Sequence, residues 1–213
     1  MLNILVTGAT GNVGKEVVRL LTDQNCQIYA AVRNPEQAKK ILGDSSKISY
    51  VEFDFTNPNT FINAFRQTNK LFLVRPPALA NIREIAPALE AAKQAGIEQI
   101  VFLSIVGADR NRIVPHSKIE RYINQLEIGA TFLRAGFFMQ NLNTVHLEDI
   151  KTRGELFIPA GNGKTSFIDI RDIAAVAIRT LLENEHINKV YTLTGSEALT
   201  YYQVADIFTE VLN

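Results

Sequence analysis

The chain has 213 residues, 46% of them hydrophobic, which is enough apolar material for one domain with a full core but not for two independent domains. Its 22 basic and 22 acidic residues balance, so no overall electric field attracts nucleic acid or an anionic membrane, and neither is expected as a partner. Cys26 is the single cysteine, which excludes an intrachain disulfide and a multi-cysteine metal site.

The chain opens with the pattern of a strand, a tight turn and a helix. An apolar run from Leu2 to Val6 leads into three glycines, and apolar residues then recur at helical spacing through Leu21. In a dinucleotide-binding turn, the first glycine lets the chain turn, the second lets the backbone approach a pyrophosphate, and the third lets the helix pack closely on the strand. The N–H groups of the first helical turn form an anion site. The predicted phosphate-binding residues are Gly8, Thr10, Gly11, Asn12, Val13 and Gly14.

The second strand is predicted over Gln27–Arg33, and Asn34 and Pro35 end it and begin a helix. In the dinucleotide fold the tip of this strand meets the adenosine ribose, where an acidic residue would bind the 2′-hydroxyl of NAD. Arg33 occupies that place, and a guanidinium can pair with a 2′-phosphate through two hydrogen bonds. The sequence therefore favours NADP (NADPH) over NAD as the cofactor; the alternative is that Arg33 is simply solvated at the strand end.

Two further strands end at the same edge of the predicted sheet. The third covers Lys47–Asp54 and is followed by a short helix over 59–67, while the fourth covers Lys70–Val74 and is ended by prolines. Asp54 can accept a hydrogen bond from an adenine amino group there, or it can cap a turn. The predicted cofactor contacts at this edge are Asp54, Phe55, Val74, Arg75 and Pro76.

Helical spacing predicts a helix from Ile82 to Gly96, in which Pro87 is expected to cause a kink or a division into two short helices. Gln99–Val106 is the fifth strand, and its Ser104 is a further predicted cofactor contact. Up to this point five strands alternate with helices, and nearly all of the strands, though not the alternating third one, are continuous apolar runs. This pattern predicts an α/β fold, a doubly wound Rossmann-type parallel sheet with helices on both faces.

The rest of the chain completes the sheet and adds elements beside it. The predicted elements are helices over 115–125, 169–183 and 200–212, strands over 130–134 and 189–193, and a hairpin-like excursion within 156–168. Phe137 and Phe138 follow the sixth strand. They can wall a nicotinamide pocket, for which Phe137 is the predicted contact, or they can belong to the core.

Several motifs are shared with one known family. They are Thr7–Gly14, Val32–Pro35, Phe102–Gly107, Ala130–Asn141, and His116 four residues before Glu120. With them the sequence resembles, over essentially its whole length, the NmrA-like branch of the atypical short-chain dehydrogenase/reductases. That branch includes NAD(P)H-dependent quinone reductases and redox-sensing regulators. The resemblance implies a single NAD(P)-binding Rossmann domain over 1–213, with 137–168 and 195–213 as substrate-side elements.

Two features depart from that family. The wider superfamily carries a Tyr-x-x-x-Lys pair, whose tyrosine would fall at Val114 if Lys118 is its lysine, so the phenolic proton donor is absent. Relatives usually continue beyond the equivalent of Asn213 into a subdomain that covers the substrate. A reduced C-terminal substrate subdomain is therefore expected, which means an unusually open site or a shortened form.

The helix that carries His116 and Lys118 faces the nicotinamide in this family, which makes both residues candidate catalytic groups. The lysine would donate to the ribose or lower a neighbour's pKa, and the imidazole would orient the substrate or pass a proton. The alternative is that both are solvated surface groups. His146 and His186 are isolated from each other and from carboxylate clusters, so no metal centre is expected.

The leading interpretation is an NADPH-dependent oxidoreductase that transfers hydride to a small electrophile, with a quinone-like acceptor favoured. The alternative is a non-catalytic NAD(P)-sensing regulatory protein that acts through a protein partner. The missing tyrosine and the reduced C-terminal subdomain favour that alternative, whereas the motif after the sixth strand favours the enzyme. A sugar epimerase needs the tyrosine and ranks third. The expected partner is a small-molecule substrate, with a homodimer left open. Because the first apolar run is too short for a membrane span and no basic segment precedes it, a cytoplasmic protein is expected.

Overall fold

The computed structural model describes residues 2–212, which fold around a parallel sheet. The strands are β1 (Leu2–Thr7), β2 (Cys26–Val32), β3 (Ile48–Glu52), β4 (Lys70–Leu73), β5 (Gln99–Ile105), β6 (Gly129–Ala135), β7 (Phe137–Phe138), β8 (Lys164–Thr165), β9 (Phe167–Ile168), β10 (Val190–Leu193) and β11 (Leu199–Thr200). The helices are α1 (Asn12–Thr22), α2 (Pro35–Leu42), α3 (Phe61–Phe65), α4 (Ile82–Gln94), α5 (Pro115–Gln125), α6 (Leu147–Arg153), α7 (Ile170–Leu182) and α8 (Tyr201–Leu212).

Seven of the strands form one sheet in the order β10-β6-β5-β4-β1-β2-β3, and every neighbouring pair is parallel. The predicted α/β fold with a Rossmann-type parallel sheet is confirmed. From β1 the chain builds outward in one direction through β2 and β3, and from β4 it builds in the other. The order therefore reverses between β1 and β4, which is where this class of sheet opens a crevice for a ligand.

Two layers of helices cover the two faces of the sheet. On one face α1, α2 and α7 surround a core that includes Val17, Ile173 and Val6. On the other face α3, α4 and α5 surround a core that includes Leu89 and Leu5. Successive residues of a strand point to opposite faces, so β1 contributes to both cores. This burial on both faces explains why the strands read as continuous apolar runs.

Pro87 lies in the second turn of α4 without dividing it, so the prediction of two short helices is wrong. The helix begins with a capping box in which the Asn81 side chain accepts from the Arg83 N–H at 3.0 Å and the Glu84 carboxylate accepts from the Asn81 N–H at 3.0 Å. Proline removes a single helical hydrogen bond there. Packing of the buried Leu89 against the sheet holds the helix together across that gap.

The predicted hairpin within 156–168 is also wrong. Residues 164–165 pair antiparallel with β11, and residues 167–168 pair parallel with β7, so both partners are distant in sequence. α6 was not predicted, and it ends at Gly154 in a left-handed conformation. Within residues 2–212, no helix is both long enough and apolar enough to cross a membrane.

Candidate functional site

A cleft of about 940 Å³ lies at the carboxyl edge of the sheet, above the point where the strand order reverses. Its size suits an extended small-molecule ligand. Most of the predicted site residues line it, namely Gly8, Thr10, Gly11, Asn12, Val13, Gly14, Arg33, Asp54, Phe55, Val74, Arg75, Pro76, Ser104 and His116. The fold thus brings residues from six separate segments of the chain into one cavity.

The turn between β1 and α1 forms the floor of this cleft. Gly8 has φ +61°, in the left-handed region that favours glycine, and its carbonyl accepts from the Gly11 N–H at 2.9 Å. Gly11 begins α1 without a side-chain cap, and the first turn holds no acidic residue. The N–H groups of that turn are therefore free to bind an anion, and the positive end of the helix dipole favours one.

Thr7, which the sequence analysis did not single out, ties the glycine turn to the next strand. Its hydroxyl oxygen accepts from the Val74 N–H at 2.8 Å, and its hydroxyl lies 3.2 Å from the Val74 carbonyl oxygen. Val74 in turn packs against Gly8, where an added Cβ would come within 3.2 Å of the valine Cβ. The only sequence signal for this role is a threonine just before the first glycine. Its partner, Val74, is 67 residues away in the chain and could not be identified from the sequence.

Arg33 lies exposed at the end of β2, on the wall of the cleft. The neighbouring Asn34 caps α2 by accepting from the Gln37 N–H at 3.0 Å, so the strand end presents a guanidinium and no carboxylate. Asp54 serves as a turn cap, since its Oδ1 accepts from the Thr56 N–H at 2.8 Å and hydroxyl at 2.7 Å. These bonds, with a smaller contribution from Arg33, lower the pKa of Asp54.

Arg75 anchors the loop that follows β4. Its Nη1 donates to the carbonyl oxygens of Pro76 at 2.8 Å, Pro77 at 3.0 Å and Leu79 at 2.9 Å. Nε is buried without a hydrogen-bond partner, and burial lowers the pKa of the guanidinium. Arginine stays charged even so. The loop therefore holds a cation in a fixed position on the wall of the cleft.

His116 lies in the first turn of α5, with its ring stacked on Phe102 at a centroid distance of 5.9 Å. Burial and then the positive charge of Arg75 lower its pKa to about 4, against a smaller opposing effect of Glu120. The imidazole is therefore neutral at neutral pH. It can orient a ligand by hydrogen bonding, but it is not an imidazolium acid there.

Glu120 is buried between α5, β5 and β6 and joins the three elements. Its Oε1 accepts from the Ser104 hydroxyl at 2.6 Å and from Arg134 Nε at 3.1 Å, and its Oε2 accepts from Arg134 Nη2 at 2.7 Å. Asp109 approaches the same guanidinium at 3.5 Å. Because a carboxylate only accepts, the hydroxyl hydrogen of Ser104 points to Glu120 and is engaged there.

Lys118 and Phe137 are the two predicted site residues that do not line the cleft. Lys118 is two positions from His116 on α5, which is about 200° around the helix. Phe137 packs beside Phe167 at 5.4 Å, whereas Phe138 lines the cleft in its place. Neighbouring residues of a strand point to opposite sides. When one of the two phenylalanines faces the cleft, the other therefore faces away from it.

None of the six tyrosines, all within the described residues, lines the cleft. Tyr122, on the same helix as His116, donates instead to Glu90. Val114, the N-cap residue just before α5, stands at the position that the superfamily gives to its tyrosine. No phenol has therefore replaced the missing proton donor in the cleft.

His186 is not isolated from carboxylates, which corrects the sequence-based description. Its Nε2 lies 3.0 Å from Glu183 and 3.9 Å from Glu185. Its Nδ1 is 2.7 Å from the Tyr191 hydroxyl, so both ring nitrogens are engaged by protein groups. The three residues follow α7, outside the cleft lining.

Comparison with known proteins agrees with this geometry. A model of the NmrA-like family matches residues 2–213. The NAD(P)H azoreductase of Xenophilus azovorans is 34% identical over 206 residues, which cover 95% of this chain and 71% of that protein. The structure of Citrobacter sp. triphenylmethane reductase complexed with NADP(H) aligns with a TM-score of 0.85 at 28% identity, covering 99% of this chain and 76% of that one. The NADPH-dependent quinone oxidoreductase of Escherichia coli complexed with NADPH gives 0.86 at 28% identity with the same coverage.

Proposed function

We propose that this chain, which belongs to the NmrA-like family, transfers hydride from NADPH to a quinone-like acceptor. It is an NAD(P)H-dependent oxidoreductase with NADP(H) as its cofactor, like the reductases to which it is similar. The proposal concerns the acceptor and the residues that serve it. The similarity to azoreductase and quinone oxidoreductase does not favour the alternative of a non-catalytic sensor.

The cleft residues divide into cofactor-binding sets on this proposal. The glycine turn with Thr10, Asn12 and Val13 binds the pyrophosphate, because no side chain caps the N–H groups of the first turn of α1. Arg33 pairs with the 2′-phosphate. Asp54 and Phe55 border the adenine, and Val74, Arg75, Pro76 and Ser104 border the other half of the dinucleotide across the crevice.

We infer the class of acceptor from the absence of a proton-donating side chain among the described residues that line the cleft. Among the described residues that line it, His116 is neutral, the Ser104 hydroxyl hydrogen is engaged by Glu120, and neither tyrosine nor lysine is present. Reduction of an ordinary ketone leaves a strongly basic alkoxide, and loss of a positioned acid costs about 10²–10⁴-fold in rate. This absence of a proton donor is the observation that carries the proposal.

A quinone avoids that requirement. When bound, NADPH supplies a hydride, and the negative charge that reaches the quinone spreads over an aromatic ring. The resulting hydroquinone anion is a weak enough base for solvent to protonate. What the protein must then supply is position: His116 orients the acceptor as a neutral hydrogen-bonding group, and the cleft holds it against the nicotinamide. Lys118 lies outside the cleft lining and has no role in this proposal.

Steady-state assays with three substrate classes test the proposal. We expect NADPH-dependent turnover of simple quinones and little or none of aliphatic ketones or secondary alcohols. Efficient ketone reduction would mean that a proton donor reaches the cleft after all. Tight NADPH binding without turnover of any acceptor would contradict the proposed enzyme and support the sensor.

A further inference from the structure

We infer that Arg75 is an oxyanion-stabilising residue, whose Nη2 donates a hydrogen bond to the quinone oxygen on which negative charge develops. The inference rests on the proposed quinone reduction and deepens it, since it names the group that stabilises charge where no acid is available. It also goes beyond the sequence-based assignment of Arg75 to the cofactor and its place beside the dinucleotide in the proposed function. The two assignments are separable by experiment.

The guanidinium is held by one of its three nitrogens. Nη1 donates to three backbone carbonyls of the same loop, and together these bonds fix the plane of the group. Nη2 makes no hydrogen bond to any described residue and is not buried, so it remains available to a ligand, and Arg75 lines the cleft. A donor fixed in advance in this way costs no reorganisation when charge develops near it.

The charge of Arg75 is not neutralised by the protein. In the described chain none of the salt bridges includes it, and burial alone shifts its pKa, with no acidic side chain opposing the shift. By contrast Arg134, which is also partly buried, has Glu120 and Asp109 as partners. A partly buried cation without a counterion costs free energy unless a ligand supplies the negative charge.

The position of Arg75 fits the acceptor side of the cleft. It follows β4, which lies beside β1 on the side opposite to β2 and Arg33. Its charge is one cause of the lowered pKa of His116, so the two side chains share one electrostatic environment. A neutral hydrogen-bonding imidazole and a fixed cation together suit an oxygen that becomes negative during the reaction.

The chemical step balances with these groups alone. The C4–H bond of the dihydronicotinamide breaks, and a hydride, carrying two electrons, forms an O–H bond on one quinone oxygen. NADP⁺ remains, and the negative charge appears on the second oxygen, where Arg75 Nη2 donates. A proton from water then completes the hydroquinone.

The test compares the unmodified chain with Arg75→Gln and Arg75→Lys on a series of substituted quinones whose hydroquinones differ in acidity. At saturating NADPH we expect Arg75→Gln to lower kcat by about tenfold to hundredfold for electron-rich quinones and much less for electron-poor ones, because the latter stabilise their own charge. Arg75→Lys should restore part of the rate, since it keeps the charge. The NADPH dissociation constant should change less than threefold. Arg83→Gln, which removes an exposed arginine outside the cleft, is the control.

Two results would overturn the inference. An equal loss for all quinones, together with a lowered melting temperature, would mean that Arg75 only anchors its loop. A raised NADPH dissociation constant with unchanged kcat at saturation would assign Arg75 to the cofactor phosphates. Neither result touches the proposed function, which fails only if the unmodified chain does not reduce quinones at all.

Discussion

The carbonyl oxygen of Gly8 lies only 2.1 Å from the place that a Cβ on Gly14 would occupy. Real Cβ atoms do not approach an oxygen so closely. The backbone of Gly8 and the backbone of Gly14 cannot move apart without opening the turn. The first turn of α1 and the end of β1 are therefore in direct backbone contact. Glycine at position 14 is a requirement of packing. Gly11 has φ −79°, which any residue can adopt, and a Cβ there would lie 3.2 Å from the same oxygen, a tight approach that a shift of a few tenths of an ångström relieves.

Substitutions at these two glycines should therefore separate folding from binding. Gly14→Ala should lower the free energy of unfolding by about 1–3 kcal/mol, because the methyl group overlaps the turn. Gly11→Val should leave the thermal midpoint of the apo protein close to its starting value and abolish NADPH binding. Thermal unfolding and fluorescence titration measure the two effects, and normal binding by Gly11→Val would remove the turn as the phosphate site.

Arg33→Asp should invert the preference of the chain between NADPH and NADH. A guanidinium–phosphate pair is replaced by two negative groups, so NADPH affinity should fall by about tenfold to hundredfold while NADH affinity is retained or improved. Dissociation constants for both cofactors measure it. Equal constants in the unmodified chain would show that Arg33 does not read the ribose.

The lowered pKa of His116 should make stability depend on pH between about 4 and 6.5. His116 takes up a proton near pH 6.5 in the unfolded chain but only near pH 4 in the folded chain. Its contribution to the free energy of unfolding is therefore fully present above this window and is lost as the pH falls through it. The expected loss between pH 7 and pH 5 is about 2 kcal/mol.

The difference between variants isolates this effect from other titrating groups. In denaturant unfolding, His116→Gln should lose about 2 kcal/mol less stability between pH 7 and pH 5 than the unmodified chain, and its quinone turnover should fall only modestly. His146→Gln, which removes a histidine outside the cleft lining, is the control. An unchanged slope in His116→Gln would contradict the buried neutral imidazole.

Glu120→Ala should be among the most destabilising single changes in the chain. It leaves the largely buried Arg134 guanidinium without its carboxylate, which costs about 3–5 kcal/mol. Glu16→Ala removes the partner of Arg19 in an exposed pair and should cost less than about 1 kcal/mol. Similar losses for the two variants would show that the Glu120 pair is effectively solvated.

The elements that the sequence predicted well are those whose signal is local. Most strands of the main sheet, such as β1, β4 and β5, are apolar runs, and α5 begins at Pro115 and ends at Gln125 as predicted. The two-residue strands, such as β8 and β9, are too short to carry a period, and their partners are distant. The segment 156–168 was therefore predicted as a hairpin-like excursion, without its partners β7 and β11.

The site divides in the same way. The glycine turn and Arg33 could be located because strand and helix signals fix their place in a known arrangement. Thr7 and Glu120 act through partners that only the fold brings near, so their roles were not visible. Phe137 and Phe138 differ by a single position, and no periodicity in a two-residue strand decides which one faces the cleft.

The sheet order also sets a sequence of events during synthesis. Residues 2–73 supply β1 to β4, which are contiguous in the sheet, so this half can pair as soon as it leaves the ribosome. β5, β6 and β10 then add one at a time at its growing edge. α7, however, packs on α1 and is translated some 150 residues later. Until then the part of α1 that contacts α7 has no permanent cover, and we expect nascent chains stalled in that interval to be the ones that chaperones bind.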